Sequence, residues 1–219
     1  MRRHMMKASG EKLPAWFKEH IVCWYSPKRQ GATNESLAAD PILKDLSGKN
    51  HDMMLYNFSF TSESGIASDS SLHFGGVDDY ARTISPFIMG NDFTVIVKRK
   101  YIKTSHVALC GKNNNADKPI LFISSEWYKS APIVGIFGKN SYDNTNPYTR
   151  LVDWLTPTSI HSEQIISRGD IADSNGSLFI GKMSQIDTRY FNGYLYDFFL
   201  FDKTLTQDQI DYVVNNLID

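Results

Sequence analysis

The chain has 219 residues, 42% of them apolar, with 23 basic side chains against 24 acidic ones. That is enough apolar material for one sizeable core, and the length suits a single β-sandwich. A formal net charge of −1 gives no basic footprint for nucleic acid, so that class of partner is excluded. No run reaches the ~18 apolar residues of a membrane span.

The opening residues Met1-Arg2-Arg3-His4-Met5-Met6-Lys7 carry charge but no apolar stretch follows, so no secretory signal is read. The expectation is a soluble protein made in the cytoplasm, with a cell surface or a virion open as its destination. Residues 1–14 read as a polar, flexible arm. Pro14 then suits the start of a short helical turn over Ala15-Trp16-Phe17-Lys18-Glu19-His20, and residues 21–25 form the first strand. Residues 26–44 read as a long loop broken by Pro27, Gly31, Asn34 and Pro41. A connection that long packs on the sandwich or contributes function.

A regular succession of strands follows, predicted at 53–58, 71–74, 80–84, 93–102, 106–111, 119–124, 132–138, 148–155, 164–167, 177–181 and 190–202. Alternation is plain from Phe93 to Tyr101: Phe93, Val95 and Val97 face inward, and Lys98, Arg99 and Lys100 mark where the strand leaves the core. Turn residues separate the strands, as in Gly75-Gly76 and Ser174-Asn175-Gly176. The run from Phe191 to Asp202 is too apolar for a surface strand and is predicted as the central strand of the assembly. Thr206 then caps a helix with Ile210, Val213, Val214 and Leu217 on one face, expected to lie along the sandwich. Cys23 and Cys110 sit in apolar runs, where two buried thiols are preferred over a bridge.

Three segments together resemble a known family. Asp45-Leu46-Ser47-Gly48-Lys49-Asn50-His51-Asp52 with Leu55-Tyr56-Asn57 is similar to its opening motif. Ser71-Leu72-His73-Phe74-Gly75-Gly76-Val77-Asp78-Asp79-Tyr80 resembles its hairpin, and Leu178-Phe179-Ile180-Gly181 followed by Phe191-Asn192-Gly193 through Leu205-Thr206 resembles its closing strands. The family is the laminin-G-like branch, of bacterial or phage type, of the concanavalin A-like lectin/glucanase superfamily. The resemblance spans roughly residues 43–217. It implies an all-β, antiparallel two-sheet jelly-roll sandwich over residues 15–219, with a short C-terminal helix and the N-terminal arm. Gly75 stands where the family has Asp, Tyr196 replaces the first Asp of the late strand, and Phe199 replaces a charged residue.

The family also implies a structural calcium ion, for which Asp45, Asp78, Asp79 and Asp197 are the candidate ligands. Asp78 and Asp79 can equally accept hydrogen bonds from turn amides, which is the preferred reading. Asp197 lies in an apolar strand, where a buried carboxylate must cap a loop, pair with Arg189 or Arg82, or meet a cation. The Glu-x-Asp-x-Glu strand of sandwich glucanases is absent, since no glutamate has another within five residues. No HExxH or phosphate-binding loop is present. Sugar sites combine an aromatic platform with Asn and Asp. Trp127, Tyr128, Asn114, Tyr142, Asn144 and Asn146, in Asn-rich loops, are the candidate ligand residues. The sequence therefore points to a non-catalytic, lectin-like adhesion module for a glycan or protein surface. The alternatives are a structural part of a phage tail, fibre or cell-surface assembly that associates with itself or its neighbours, and a glycoside hydrolase.

Overall fold

The structure is a computed structural model that describes residues 12–89, 92–102, 107–113, 119–125, 133–139, 149–154, 163–165, 176–182 and 189–218. In chain order its first elements are α1 (Ala15–His20), β1 (Ile21–Tyr25), α2 (Pro27–Gln30), α3 (Asn34–Ala39), β2 (Ile42–Leu43), β3 (Met53–Tyr56), β4 (Gly65–Ile66), β5 (Leu72–Gly75) and β6 (Tyr80–Thr83). Then come β7 (Phe93–Tyr101), β8 (Val107–Asn113), β9 (Pro119–Ser125), β10 (Ile133–Lys139), β11 (Thr149–Trp154), β12 (Glu163–Ile165), β13 (Leu178–Ile180), β14 (Asn192–Phe201) and α4 (Gln207–Asn216).

They form a two-sheet antiparallel β-sandwich of jelly-roll type. One sheet runs β11-β10-β7-β14-β5-β4, with β1 also paired to β14; the other runs β12-β9-β8-β13-β6-β3-β2. β14 is the central strand that its aromatic run predicts. β7 pairs with it from Tyr101 to Thr94, while on its other side β5 pairs with its first half and β1 with its second. Its backbone groups are thereby paired on both sides, which a strand buried this deeply requires.

The inner faces meet in one core that includes Phe74, Phe93, Val95, Val97, Leu109, Leu178, Leu195, Phe198 and Leu200. A second apolar cluster lies on the outer face of the β14 sheet, where Phe17 of α1 and Ile210, Val213 and Leu217 of α4 cover Trp24, Ile96, Phe199 and Phe201. Burying one such aromatic side chain stabilises by roughly 1.5–3 kcal/mol, so both short helices are held by tertiary packing. α4 begins as the sequence predicts: the Thr206 hydroxyl accepts from Gln209 N–H, and Gln209 Oε1 accepts from Thr206 N–H at 2.9 Å. Cys23 and Cys110 are buried free thiols.

Three expectations change. Residues 26–44 contain α2, α3 and the short β2. The breakers that suggested a loop act as helix signals: Pro27 is a first-turn residue behind the Ser26 cap, Gly31 ends α2 at φ +68°, and Thr33 forms a capping box. β7 does not leave the core after Val97, because Arg99 and Tyr101 are buried and the Arg99 guanidinium lies 5.5 Å from the Tyr101 ring centroid. The segment from Ser71 to Tyr80 is not a hairpin, because β5 and β6 belong to different sheets, and the chain crosses between them through a turn with Gly76 at φ +79°.

Close approach of β14 to β7 fixes a third glycine. A Cβ at Gly193 would overlap the Lys100 carbonyl oxygen and press on the Phe191 ring. Gly193→Ala is expected to lower stability by roughly 1–3 kcal/mol, measured as a shift of the urea midpoint at constant slope. His51 sets an acid limit: its ring packs on Phe87 at 4.4 Å between centroids, and its buried Nδ1 meets no partner among the described residues. Burial pushes its pKa below the ordinary value, so the unfolded chain takes up the proton first as pH falls. Stability should therefore decline on acidification below about pH 6.5, and in thermal melts His51→Phe should flatten that part of the profile.

Candidate functional site

The outer face of β14 changes character half-way along. From Phe199 onward it lies under the helices, whereas Tyr194 and Tyr196 are only half-buried. A β-bulge separates the halves: Leu195 stands opposite Arg99 and Asp197 opposite Lys98, leaving Tyr196 as the extra residue. The extra residue keeps Leu195 and Phe198 in the core while Tyr196 and Asp197 both reach the outer side, where they line the pocket.

On the open half the side chains form cross-strand rows. Tyr194 has His73 of β5 on one side, stacked at 4.6 Å between centroids, and Lys100 of β7 on the other, with its Nζ 5.3 Å from the ring centroid. Both flat faces of Tyr194 are thus occupied. Lys98 places its Nζ 5.1 Å from the Tyr196 ring centroid. The Tyr196 hydroxyl donates to Asp69 Oδ2 at 2.9 Å, and Asp69 Oδ1 accepts from the Ser71 hydroxyl and N–H.

Beside this row lies a pocket of about 210 Å³, lined by Lys28, Asp69, Ser70, Lys98, Tyr196 and Asp197. Lys28 comes from α2, Asp69 and Ser70 from the turn before β5, and the other residues from β7 and the bulge of β14. Asp197 is 1% exposed and contributes a buried carboxylate to the lining. Although partial burial opposes it, the Ser71 and Tyr196 hydrogen bonds hold Asp69 below the usual carboxylate range. Burial and the Asp69 hydrogen bond push the Tyr196 phenol up to about 12.

The four candidate calcium ligands fall at three separate places, with Asp78 and Asp79 together in one turn, and among the described residues no group of three or more His, Cys, Asp or Glu side chains could hold a metal ion. Asp45 accepts from Trp24 N–H, Ser47 N–H, the Ser47 hydroxyl and His51 N–H, which occupies the lone pairs of both its oxygens. Asp79 Oδ2 accepts from Gly75 N–H at 2.6 Å, closing the turn between β5 and β6, while burial raises its pKa. Asp78 is exposed in the same turn, and its carbonyl accepts from the Asn57 amide. Of the four, Asp197 alone lines the pocket. Of the two arginines suggested as its partners, Arg189 and Arg82, the latter packs over Tyr56 on the other sheet. Trp127, Tyr128, Asn114, Tyr142, Asn144 and Asn146 lie outside the described residues.

No family model matches the chain, and no curated protein matches it. Solved structures do match its fold. Trypanosoma rangeli sialidase in complex with sialic acid aligns at a TM-score of 0.56 and 12% identity, over 93% of this chain and 33% of the sialidase. A botulinum neurotoxin type C structure, of a toxin whose cell entry depends on interaction with two ganglioside molecules, aligns at 0.54 and 11% identity, over 94% of this chain and 53% of that one. This chain therefore spans about a third of the sialidase and about half of the toxin chain. At such identities the likeness establishes a shared β-sandwich fold.

Lys28, Asp69, Ser70, Lys98 and Tyr196 are absent from the sequence-based set of site residues. The one signal that pointed here was Asp197, a carboxylate inside an apolar strand. Tyr196→Phe removes the phenol donor from Asp69, so the Asp69 pKa should rise toward the ordinary value of about 3.9. A carboxyl-detected NMR titration of wild type and variant reads this shift directly.

Proposed function

We propose that the chain is a non-catalytic recognition module of the laminin-G-like kind, and that the open half-face of its β14 sheet binds a carbohydrate. One observation carries this reading: beside the helix-covered cluster, the same sheet presents a pocket with a buried carboxylate, lysines and a tyrosine in its lining. Convergent polar groups in a concavity are what a sugar's hydroxyls require. The fold is also shared with a sialidase structure holding sialic acid and with a ganglioside-dependent toxin.

The state of Tyr196 supports the non-catalytic reading. A nucleophilic phenol needs a lowered pKa and a neighbouring base ready to take its proton. Tyr196 has a raised pKa, and Asp69, which accepts its hydrogen bond, is held in its weakly basic ionised form. The pair fits positioning better than proton transfer.

The test is a panel of immobilised glycans probed with wild type, Tyr196→Ala and Trp127→Ala. Wild type should bind at least one glycan at millimolar concentration, with Tyr196→Ala weakened at least tenfold and Trp127→Ala unchanged. Loss of binding in Trp127→Ala alone would move the site to the Asn-rich loops. Release of reducing sugar from any retained glycan would overturn the non-catalytic assignment.

A further inference from the structure

We infer that the pocket takes a single uncharged sugar ring, held at its edge by charged hydrogen-bonding groups rather than stacked on an aromatic face. The inference rests on the carbohydrate reading above and narrows it to a ligand class.

The charge of the lining is the first argument. The lining sets two lysines, Lys28 and Lys98, against two aspartates, Asp69 and Asp197. An acidic sugar would bring its carboxylate near the ionised Asp69, and an amino sugar would bring an ammonium near the lysines. Either excess charge must be desolvated beside a like charge, which a balanced lining does not offset. A hydroxyl avoids the conflict because it both donates and accepts. Neighbouring hydroxyls of one ring can donate to a carboxylate and accept from an ammonium group. The Tyr196 oxygen, its proton committed to Asp69, offers a further acceptor.

The geometry of the tyrosines is the second argument. Stacking on a sugar needs a bare aromatic face, yet His73 and Lys100 flank Tyr194, and Lys98 lies over one face of Tyr196, whose hydroxyl is held by Asp69. Size is the third argument. At about 210 Å³ the pocket is smaller than the range of roughly 300–1,000 Å³ typical of drug-sized ligands, which suits one ring and not an extended chain.

The experiment is a ligand-observed NMR titration of the full chain with methyl hexosides, the corresponding uronic acids, N-acetylneuraminic acid and glucosamine, at low and high salt. At least one neutral hexoside should bind ten times more tightly than every charged sugar, with an affinity that salt changes less than twofold. Lys28→Gln, at an exposed helix position, and Lys98→Gln should each weaken that binding at least fivefold. Tighter binding of an acidic or amino sugar, weakened by salt, would overturn the inference and leave the carbohydrate reading standing. Neutral binding that both lysine variants retain would also overturn it, because the ring would then sit elsewhere. If a folded wild-type protein binds no sugar of any charge, the carbohydrate reading fails, and the inference fails with it.

Discussion

The structure depends on β14 being paired along both edges while its two faces do different work. β7 runs beside it for nearly its whole length, and β5 and β1 share its other edge. All of its ten residues but the bulged Tyr196 are paired in this way, and most of the hydrogen-bond requirement of a buried backbone is met before any side chain is considered. Its inward residues Leu195, Phe198 and Leu200 join the core between the sheets. Its outward residues Phe199 and Phe201 require a cover of their own, which α1 and α4 supply from opposite ends of the chain. The fold is therefore closed around this strand by segments that precede and follow the remaining strands.

The bulge at Tyr196 makes the two halves compatible. In an unbroken strand, alternation would carry the outward apolar series of Phe199 and Phe201 to residue 197 and place residue 196 inward with Phe198. The extra residue resets the register, so that Leu195 fills the core and Tyr196 reaches the outer side. The helix-covered cluster stops at that point. Beyond it the outer face carries Lys98, Lys100, His73 and the tyrosines, whose cross-strand contacts cover the rings without sealing the face. The interior tolerates charge too, with Lys112 over Phe87 at 4.9 Å and Lys182 over Tyr80 at 4.2 Å, each buried against an aromatic face.

Much of this architecture was legible in the sequence, because strand alternation, turn residues and the aromatic density of 191–202 are local signals that tertiary packing reinforces. The Thr206 cap of α4 and its apolar stripe were legible for the same reason. α2 and α3 were not, because at four and six residues they are too short to show a helical period, and Pro27, Gly31 and Asn34 serve helix ends and loops alike. Arg99 misled for a different reason: the sequence marks it as charged, but only the facing Tyr101 shows how it stays inside. The pocket was least legible. Its lining comes from α2, the turn before β5, β7 and β14, segments brought together only by sheet order. Asp197 was visible as an anomaly, but the bulge that gives it meaning depends on pairing with β7.

The carboxylates of the family-like motifs divide by what surrounds them. Asp45 gathers the amides of Trp24, Ser47 and His51, and Asp52 accepts from Asp45 N–H and pairs with Lys44, so the Asp45–Asp52 loop is pinned onto β1 by its own backbone. Through Gly75, Asp79 closes the turn by which the chain crosses from β5 to β6. Each of these acids lies within a few residues of most of its donors, which is how a sequence motif can encode a turn without encoding a ligand site. Asp197 lies far in sequence from Lys28 and Asp69, the residues with which it shares a cavity, and no local motif can specify such an arrangement. The acids that recur in the motif thus hold the scaffold. The acid that can meet a ligand is the one placed by the bulge, at the boundary where the helices stop covering the sheet.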